Sequence, residues 1–252
     1  MAEQFPHYIE FRHLYKTFDR PILIDSNFNV DAGETVAIIG RSGVGKSVTL
    51  SHIMGFLKPD RGQVIVSHED ITNFSEDELR RIRRKVTMVF QSGALFDSLT
   101  IGENVLFSLE LREDYDAKNK EDVVNGLLQM VDILEFKDAF PSDLSTGYKR
   151  AVAIARALAA QPQCVLYDEP TTMVDPIMST HLSDLMLRLK DQLHLTSVVV
   201  THDLALMRKV ADRVVFLHDG NVIYFGPVDE LEESEHPHIQ EFLAMDRIEK
   251  SR

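Results

Sequence analysis

Apolar and polar positions alternate with period two over residues 8–14, Tyr-Ile-Glu-Phe-Arg-His-Leu, and again over Asn27-Phe28-Asn29-Val30. Both stretches predict half-buried strands of an antiparallel sheet, and Asp31-Ala32-Gly33-Glu34 reads as a turn after them. Short, mostly apolar runs follow at residues 34–39, 62–66, 86–90, 164–168 and 197–201, and runs of this kind predict buried strands. Between them the pattern is helical, over residues 47–54, 75–85, 121–134, 149–160, 176 to about 192, and after Asp203 to about residue 211. Ser75 with Glu78, and Thr100 with Glu103, have the spacing of reciprocal N-terminal caps. Asp175-Pro176 joins a cap to a first-turn proline, and Gln161-Pro162 ends the preceding helix. Asp219-Gly220 between residues 214–217 and 222–225 predicts a hairpin. Residues 112–122 are charged and loop-like, and two short helices are predicted from Asp229 onward.

Strands and helices alternate in both halves, so the fold class is α/β. Residues of about 92–160 carry helices only and read as an inserted helical lobe. With 252 residues, 44% of them hydrophobic, the chain is read as a single domain spanning 1–252 with a helical tail over 229–252. The net charge of −13 argues against a nucleic-acid partner, which would demand a basic face. Within that acidic background, Arg80-Arg81-Ile82-Arg83-Arg84-Lys85 reads as a solvated helix face answered by Glu76, Asp77 and Glu78, with a partner patch as the alternative. One cysteine, Cys164, suits a reducing compartment. Residues 1–7 lack a signal-peptide layout, and no apolar window approaches the roughly 18 residues of a membrane span. A soluble, cytoplasmic chain is therefore expected, acting on a membrane only through partners.

The stretch that carries the chemistry is Gly40-Arg41-Ser42-Gly43-Val44-Gly45-Lys46-Ser47, followed by Val48. It matches the phosphate-binding loop, and its flanks are a predicted strand and a predicted helix, as that motif requires. Glycines let successive N–H groups curl toward phosphate oxygens, and the helix N-terminus adds positive potential. Lys46 can reach β- and γ-phosphates, and the Ser47 hydroxyl can ligate Mg²⁺. ATP and Mg²⁺ are the expected cofactors.

Asp168 and Glu169 end an apolar run, so a buried strand would deliver both carboxylates to one end of a sheet. Asp168 is suited to hold Mg²⁺ through water and Glu169 to orient or deprotonate an attacking water. Gln91 ends another strand where the helical lobe begins; it is a surface amide or a contact to both Mg²⁺ and that water. His202 follows the run 197–201 and is a neighbour of a helix cap or a γ-phosphate contact.

Leu144-Ser145-Thr146-Gly147-Tyr148 precedes an Ala- and Arg-rich helix. With the phosphate loop, Gln91, the Asp168-Glu169-Pro170 run, Asp175 and His202 in this order, the chain resembles the ATPase subunit of an ABC transporter over about residues 8–228. Residues 90–100, Phe-Gln-Ser-Gly-Ala-Leu-Phe-Asp-Ser-Leu-Thr, sharpen this toward the phospholipid-transport (Mla/Mce-type) ATPases, as do residues 42–48 and the tail Pro237-His238-Ile239-Gln240-Glu241-Phe242-Leu243. The resemblance implies a P-loop NTPase fold with a RecA-like core, an antiparallel β-subdomain and an α-helical subdomain. It implies a homodimer sandwiching two ATP molecules, each held by one chain's phosphate loop and the other's signature, here Ser145, Thr146 and Gly147. It places Phe18 where an aromatic stacks on adenine, a core aromatic being the alternative, and Asp175 against the opposite chain. It also implies permease subunits docking near residues 91–100, an Mce-type lipid-binding subunit reached indirectly, and a peripheral position on the cytoplasmic face of the inner membrane.

The signature departs from the family pattern at Thr146 and Tyr148, and Thr146 is expected to crowd the backbone where phosphate must approach. The leading functional reading is an ATP hydrolase driving phospholipid trafficking in a bacterial envelope. An ABC ATPase for another substrate, or a slow ATP-dependent clamp without a permease, is the alternative.

Overall fold

The computed structural model describes residues 5–112 and 117–249. Residues 1–4, 113–116 and 250–252, which belong to the start, the charged loop and the tail read above, lie outside the described residues. Two sheets organise the chain. The first is antiparallel, with strands β1 (Ile9–Thr17), β2 (Pro21–Val30), β4 (Arg61–Val66) and β5 (Glu69–Asp70) in the order β2-β1-β4-β5. Alternation explains its two faces: Ile9, Phe11 and Leu14 are buried on β1 while the residues between them are not. The second sheet runs β10-β9-β3-β8-β7-β6, from β3 (Thr35–Ile39), β6 (Val86–Val89), β7 (Cys164–Asp168), β8 (Thr196–Val200), β9 (Arg213–His218) and β10 (Asn221–Pro227). Its pairings are parallel except for the β9–β10 hairpin. β3 and β8 are buried along their whole length, which is why they read as continuous apolar runs.

Helix α1 (Lys46–Ile53) follows β3, and α2 (Glu76–Lys85) precedes β6. Between β6 and β7 the regular elements among the described residues are all helical, chiefly α3 (Ile101–Glu110), α4 (Lys120–Met130) and α5 (Thr146–Ala159). These helices share one core with a face of the second sheet, in which Val105, Leu128, Val152 and Ile154 join Val165, Tyr167 and Val199. Next come α6 (Pro176–Leu193), α7 (Leu204–Val210), α8 (Val228–Glu233) and α9 (Pro237–Glu249). Both capping boxes form, at Ser75/Glu78 and Thr100/Glu103.

Two helix boundaries and one charge pairing differ from the expected ones. α4 stops at Met130 instead of continuing to residue 134, because Asp132 turns left-handed at φ +59° and Leu134–Phe136 forms a separate 3₁₀ turn. α5 starts at Thr146, three residues before the expected start; threonine and glycine have weak helix preference, and tertiary packing overrides it. The arginine run of α2 is answered only in part by its own helix. Asp77 meets Arg80 and Glu76 meets Arg83, whereas Glu78 serves the cap and Arg81 turns to Glu69. No helix among the described residues is long and apolar enough to cross a membrane.

Candidate nucleotide-binding and catalytic site

The parallel strands β3, β6, β7 and β8 all end on one edge, and the chemistry collects there. Gly40 follows β3, Gln91 lies two residues after β6, Asp168 ends β7 with Glu169 next, and His202 lies two residues after β8. Register fixes the alignment, since Ile38 and Asp168 both pair with Val200. Such an edge is where open α/β sheets bind ligands.

The phosphate loop is shaped by two glycines. Gly40 has φ +146°, and a Cβ there would sit 2.3 Å from the Leu217 carbonyl oxygen. Gly45 has φ +113°, and its Cβ would press on Leu23 Cδ2 at 2.9 Å and Ile22 O at 3.0 Å. Gly45 is also the N-cap of α1, so no side chain caps the helix, and no acidic residue occupies its first turn. The first-turn amides stay available to an anion. α5 behaves alike: Ser145 makes no side-chain cap bond, and its first turn has no acid. By contrast, Ser75, Thr100, Asp175 and Asp203 each cap their helices with a side-chain oxygen.

A cavity of about 560 Å³ opens over the loop. Gly40, Arg41, Ser42, Gly43, Gly45, Lys46, Ser47 and Val48 line it, together with Phe18, Gln91, Glu169 and His202. Val44 does not; its side chain packs toward the apolar core beneath the loop. Phe18 is 52% exposed, so the core-aromatic alternative does not hold, and Lys16 Nζ lies 5.5 Å from its ring centre. Lys46 is buried and donates to Gly40 O at 2.8 Å and Arg41 O at 3.2 Å, with Glu169 Oε1 at 3.6 Å. Ser47 Oγ donates to Asp168 Oδ1 at 3.0 Å. Burial pushes the Asp168 carboxyl above its ordinary pKa, the Ser47 hydrogen bond pulls it back, and the neighbouring Glu169 charge pushes it further up.

Glu169 adopts φ +48° and is held on several sides. Its Oε2 accepts from His202 Nδ1 at 2.8 Å and Thr172 Oγ1 at 3.1 Å. With Nδ1 committed to the carboxylate, His202 keeps Nε2 for a ligand of the cavity. Thr172 as a partner of Glu169 was not foreseen from the sequence, although Thr172 and Met173 stand out there as larger than expected.

Ser145, Thr146, Gly147 and Asp175 do not line this cavity. Thr146 is exposed at the start of α5 and faces a separate cleft of about 620 Å³ shared with Gln91, Asp168, Arg150 and Met173. A Cβ on Gly147 would meet Met178 Cγ at 2.1 Å and Val174 Cγ1 at 3.2 Å. Asp175 caps α6 through Met178 N at 3.0 Å.

Two arginines of α5 were also missed as site residues. Arg150, 3% exposed, donates to Phe90 O at 3.3 Å, and Arg156 donates to Ala94 O at 2.6 Å and Gly93 O at 3.2 Å. Asn104 of α3, fully buried, accepts from Phe96 N at 2.8 Å and donates to Phe96 O at 3.1 Å. The segment after Gln91 is therefore bound to the helical lobe by its backbone. The sequence signal was available in an Ala-rich helix whose arginines interrupt its buried face.

A hard-oxygen pair, Ser47 and Asp168, with the Gln91 amide on the same edge, suits Mg²⁺ held largely by water and phosphate. Among the described residues no cluster of three or more His, Cys, Asp or Glu could cage a metal alone.

Known proteins agree with this architecture. The family described as ABC transporter matches residues 23–172. The chain is 37% identical over 230 residues to the methionine import ATP-binding protein MetN 2 of Lactiplantibacillus plantarum, covering 88% of this chain and 66% of that protein. It is 36% identical over 243 residues to the probable ribonucleotide transport ATP-binding protein mkl of Mycobacterium leprae, covering 95% of this chain and 70% of that one. It is 41% identical over 219 residues to the sulfate/thiosulfate import ATP-binding protein CysA of a Synechocystis species, covering 87% and 59%. The chain thus spans about two thirds or less of the length of two of these relatives. The dimeric ATP-binding cassette MJ0796, in a post-hydrolysis state with ADP and Pi, superposes with a TM-score of 0.80 at 33% identity, covering 87% of this chain and 98% of that one. The cbiO1 subunit of the cbiONQ ABC transporter complex of Clostridium perfringens does so with a TM-score of 0.84 at 27% identity, covering 98% of both. The α/β fold, the phosphate loop at the strand edge and these likenesses together place the chain in the ABC transporter family, as one of its ATP-binding cassettes.

Proposed function

We propose that this chain hydrolyses ATP to drive a membrane transporter, and that the cargo is phospholipid moved within a bacterial envelope. The observation that carries the ATPase reading is the meeting of Lys46, Ser47, Asp168, Glu169, His202 and Gln91 at the ends of four neighbouring strands. In this reading the uncapped amides of α1 and the Lys46 ammonium hold the β- and γ-phosphates. Mg²⁺ supplies charge neutralisation at those oxygens when bound, with Ser47 and Asp168 as its protein-side holders. Glu169 orients and deprotonates the attacking water, and His202 fixes Glu169 while meeting the γ-phosphate. Phe18 stacks on adenine. The open N-terminus of α5, with Ser145, Thr146 and Gly147, serves the nucleotide of a second copy, a reading supported by the absence of these residues from the lining of its own cavity.

The relatives are named for methionine, ribonucleotide and sulfate or thiosulfate transport, so cargo is argued from the chain itself. The resemblance at residues 90–100 and 237–243 supports phospholipid, with permease subunits docking near residues 91–100 and an Mce-type subunit reached through them. The chain would sit on the cytoplasmic face of the inner membrane through that permease. Purification of the tagged chain from its own membranes tests this. A co-purifying permease and Mce-type protein, with ATPase activity stimulated in the complex, is the expected outcome. A permease paired with a soluble amino-acid or sulfate receptor would overturn the phospholipid reading, and no membrane partner would favour the slow clamp.

A further inference from the structure

The C-terminal helix plays no part in the reaction just described, yet it reaches the phosphate loop. Arg41 Nη2 donates to Glu241 Oε1 at 2.7 Å, and Phe242 lines the nucleotide cavity. The helix is anchored beneath this contact by other residues. Ile239 and Leu243 are buried in one cluster with Ala37 and Ile39 of β3, and Phe242 packs edge-on against Phe216 at 5.1 Å. His238 stacks on His218 at 3.8 Å and sets Nδ1 3.9 Å from Glu241 Oε2. Glu241 and Arg41 themselves are 53% and 49% exposed, so neither is needed for the core.

The loop is meanwhile bound to itself. Lys46 holds the carbonyls of Gly40 and Arg41 and keeps a third N–H for a phosphate. Arg41 lines the same cavity. A polyphosphate then offers the Arg41 guanidinium more negative charge than one half-exposed carboxylate does. Nucleotide and Glu241 compete for the same cation.

We propose that Glu241 is a positioning residue acting through Arg41, and that α9 is a latch on the phosphate loop which bound ATP loosens. The proposal rests on ATP occupying the cavity over residues 40–48. Linkage makes it reciprocal: if ATP weakens the latch, the latch weakens ATP by the same factor. A half-exposed ion pair sets that factor at about two- to fivefold.

The test uses the full chain, Glu241→Gln and Glu241→Asp, with Mg-ATP affinity measured by calorimetry. Amide exchange is followed at residues 40–48 and 237–244 with and without Mg-ATP. In the unaltered protein ATP should protect residues 40–48 and speed exchange at 237–244. Glu241→Gln should bind ATP about two- to fivefold more tightly, exchange faster at 237–244 before nucleotide is added, and show no further ATP effect there. Glu241→Asp should restore both behaviours, and high salt should close the affinity gap. A tail whose exchange ATP leaves unchanged or slows, or a Glu241→Gln affinity equal to or weaker than that of the unaltered protein, overturns the latch alone. Absence of ATP protection at 40–48 overturns the nucleotide placement and the latch with it.

Discussion

Glu169 sits in the left-handed region, where a non-glycine residue is strained by about 1–3 kcal/mol. Its backbone N–H donates to Val200 O and its carboxylate accepts from His202 and Thr172, and these bonds hold it there. Glu169→Gln preserves shape and partners but removes the base. Hydrolysis should fall about 10²–10⁴-fold with ATP binding intact. ATP should then trap a dimer on gel filtration; a variant hydrolysing at the unaltered rate would take Glu169 out of the reaction. Lys46→Ala removes the charge that meets the phosphates and should weaken ATP about 10- to 100-fold, read by a fluorescent ATP analogue. Equal affinity would refute the placement. Asp168 is a different case, because its burial works against its charge. The folded state raises its pKa, so the folded protein binds that proton more readily than the unfolded chain. Stability of the nucleotide-free protein therefore falls as pH rises from the ordinary carboxylate value through the raised one. Asp168→Asn should flatten this slope and raise the melting temperature above that window, while abolishing Mg²⁺-dependent hydrolysis. Melting curves in which both proteins show the same pH dependence would remove Asp168 as its source.

At the scale of elements, the helix that begins at Thr146 and Gly147 distinguishes two roles that its sequence merges. Gly147→Ala forces a methyl against Met178 and Val174, and overpacking of this kind costs about 1–3 kcal/mol, measurable by denaturant melts. Thr146→Gly removes the side chain expected to crowd the backbone where phosphate approaches, so turnover of the assembled transporter should rise or stay the same. A strong loss would mean that Thr146 has an adapted role. The same element shows how far the sequence can be read. Ser75 with Glu78 and Thr100 with Glu103 were legible because both partners of each cap lie within one helical turn. The buried strands were legible because a sheet covered on both faces leaves an uninterrupted apolar run. The start of α5 was not, since its cause is packing against Val174 and Met178. The Arg156 bonds to Gly93 and Ala94, and the Arg41–Glu241 contact, join segments that no local pattern relates. At the site, the phosphate loop and both acids were legible from spacing, whereas the uncapped state of α5 and the bond from Thr172 to Glu169 exist only in the fold.

For the whole molecule, the question is how a site at the edge of one sheet is felt by a partner elsewhere. Gln91 follows β6 and precedes the helices of the β6–β7 crossover, so it is where the sheet hands over to the helical lobe. Residues 93–100 are bound by Arg156 and Asn104 to that lobe, so the segment moves with α3 and α5. A shift of Gln91 toward nucleotide would carry the segment and the N-terminus of α5 together. Two exposed rings of this body lie at that segment and on α3. Phe96 and Phe107 are each 43% exposed and meet edge-on at 4.8 Å, while Leu95 packs inward against the lobe. Exposed aromatics grouped in this way mark contact surfaces. Covering such a ring is worth roughly 1.5–3 kcal/mol, and a carboxylate in its place adds a desolvation cost. Phe96→Asp should therefore abolish capture of the permease. ATP affinity and melting temperature should stay close to those of the unaltered protein, because Phe96 lies outside the cavity and its backbone, held by Asn104, is unchanged. Permease captured in undiminished amount by folded Phe96→Asp would place the docking surface elsewhere on the lobe.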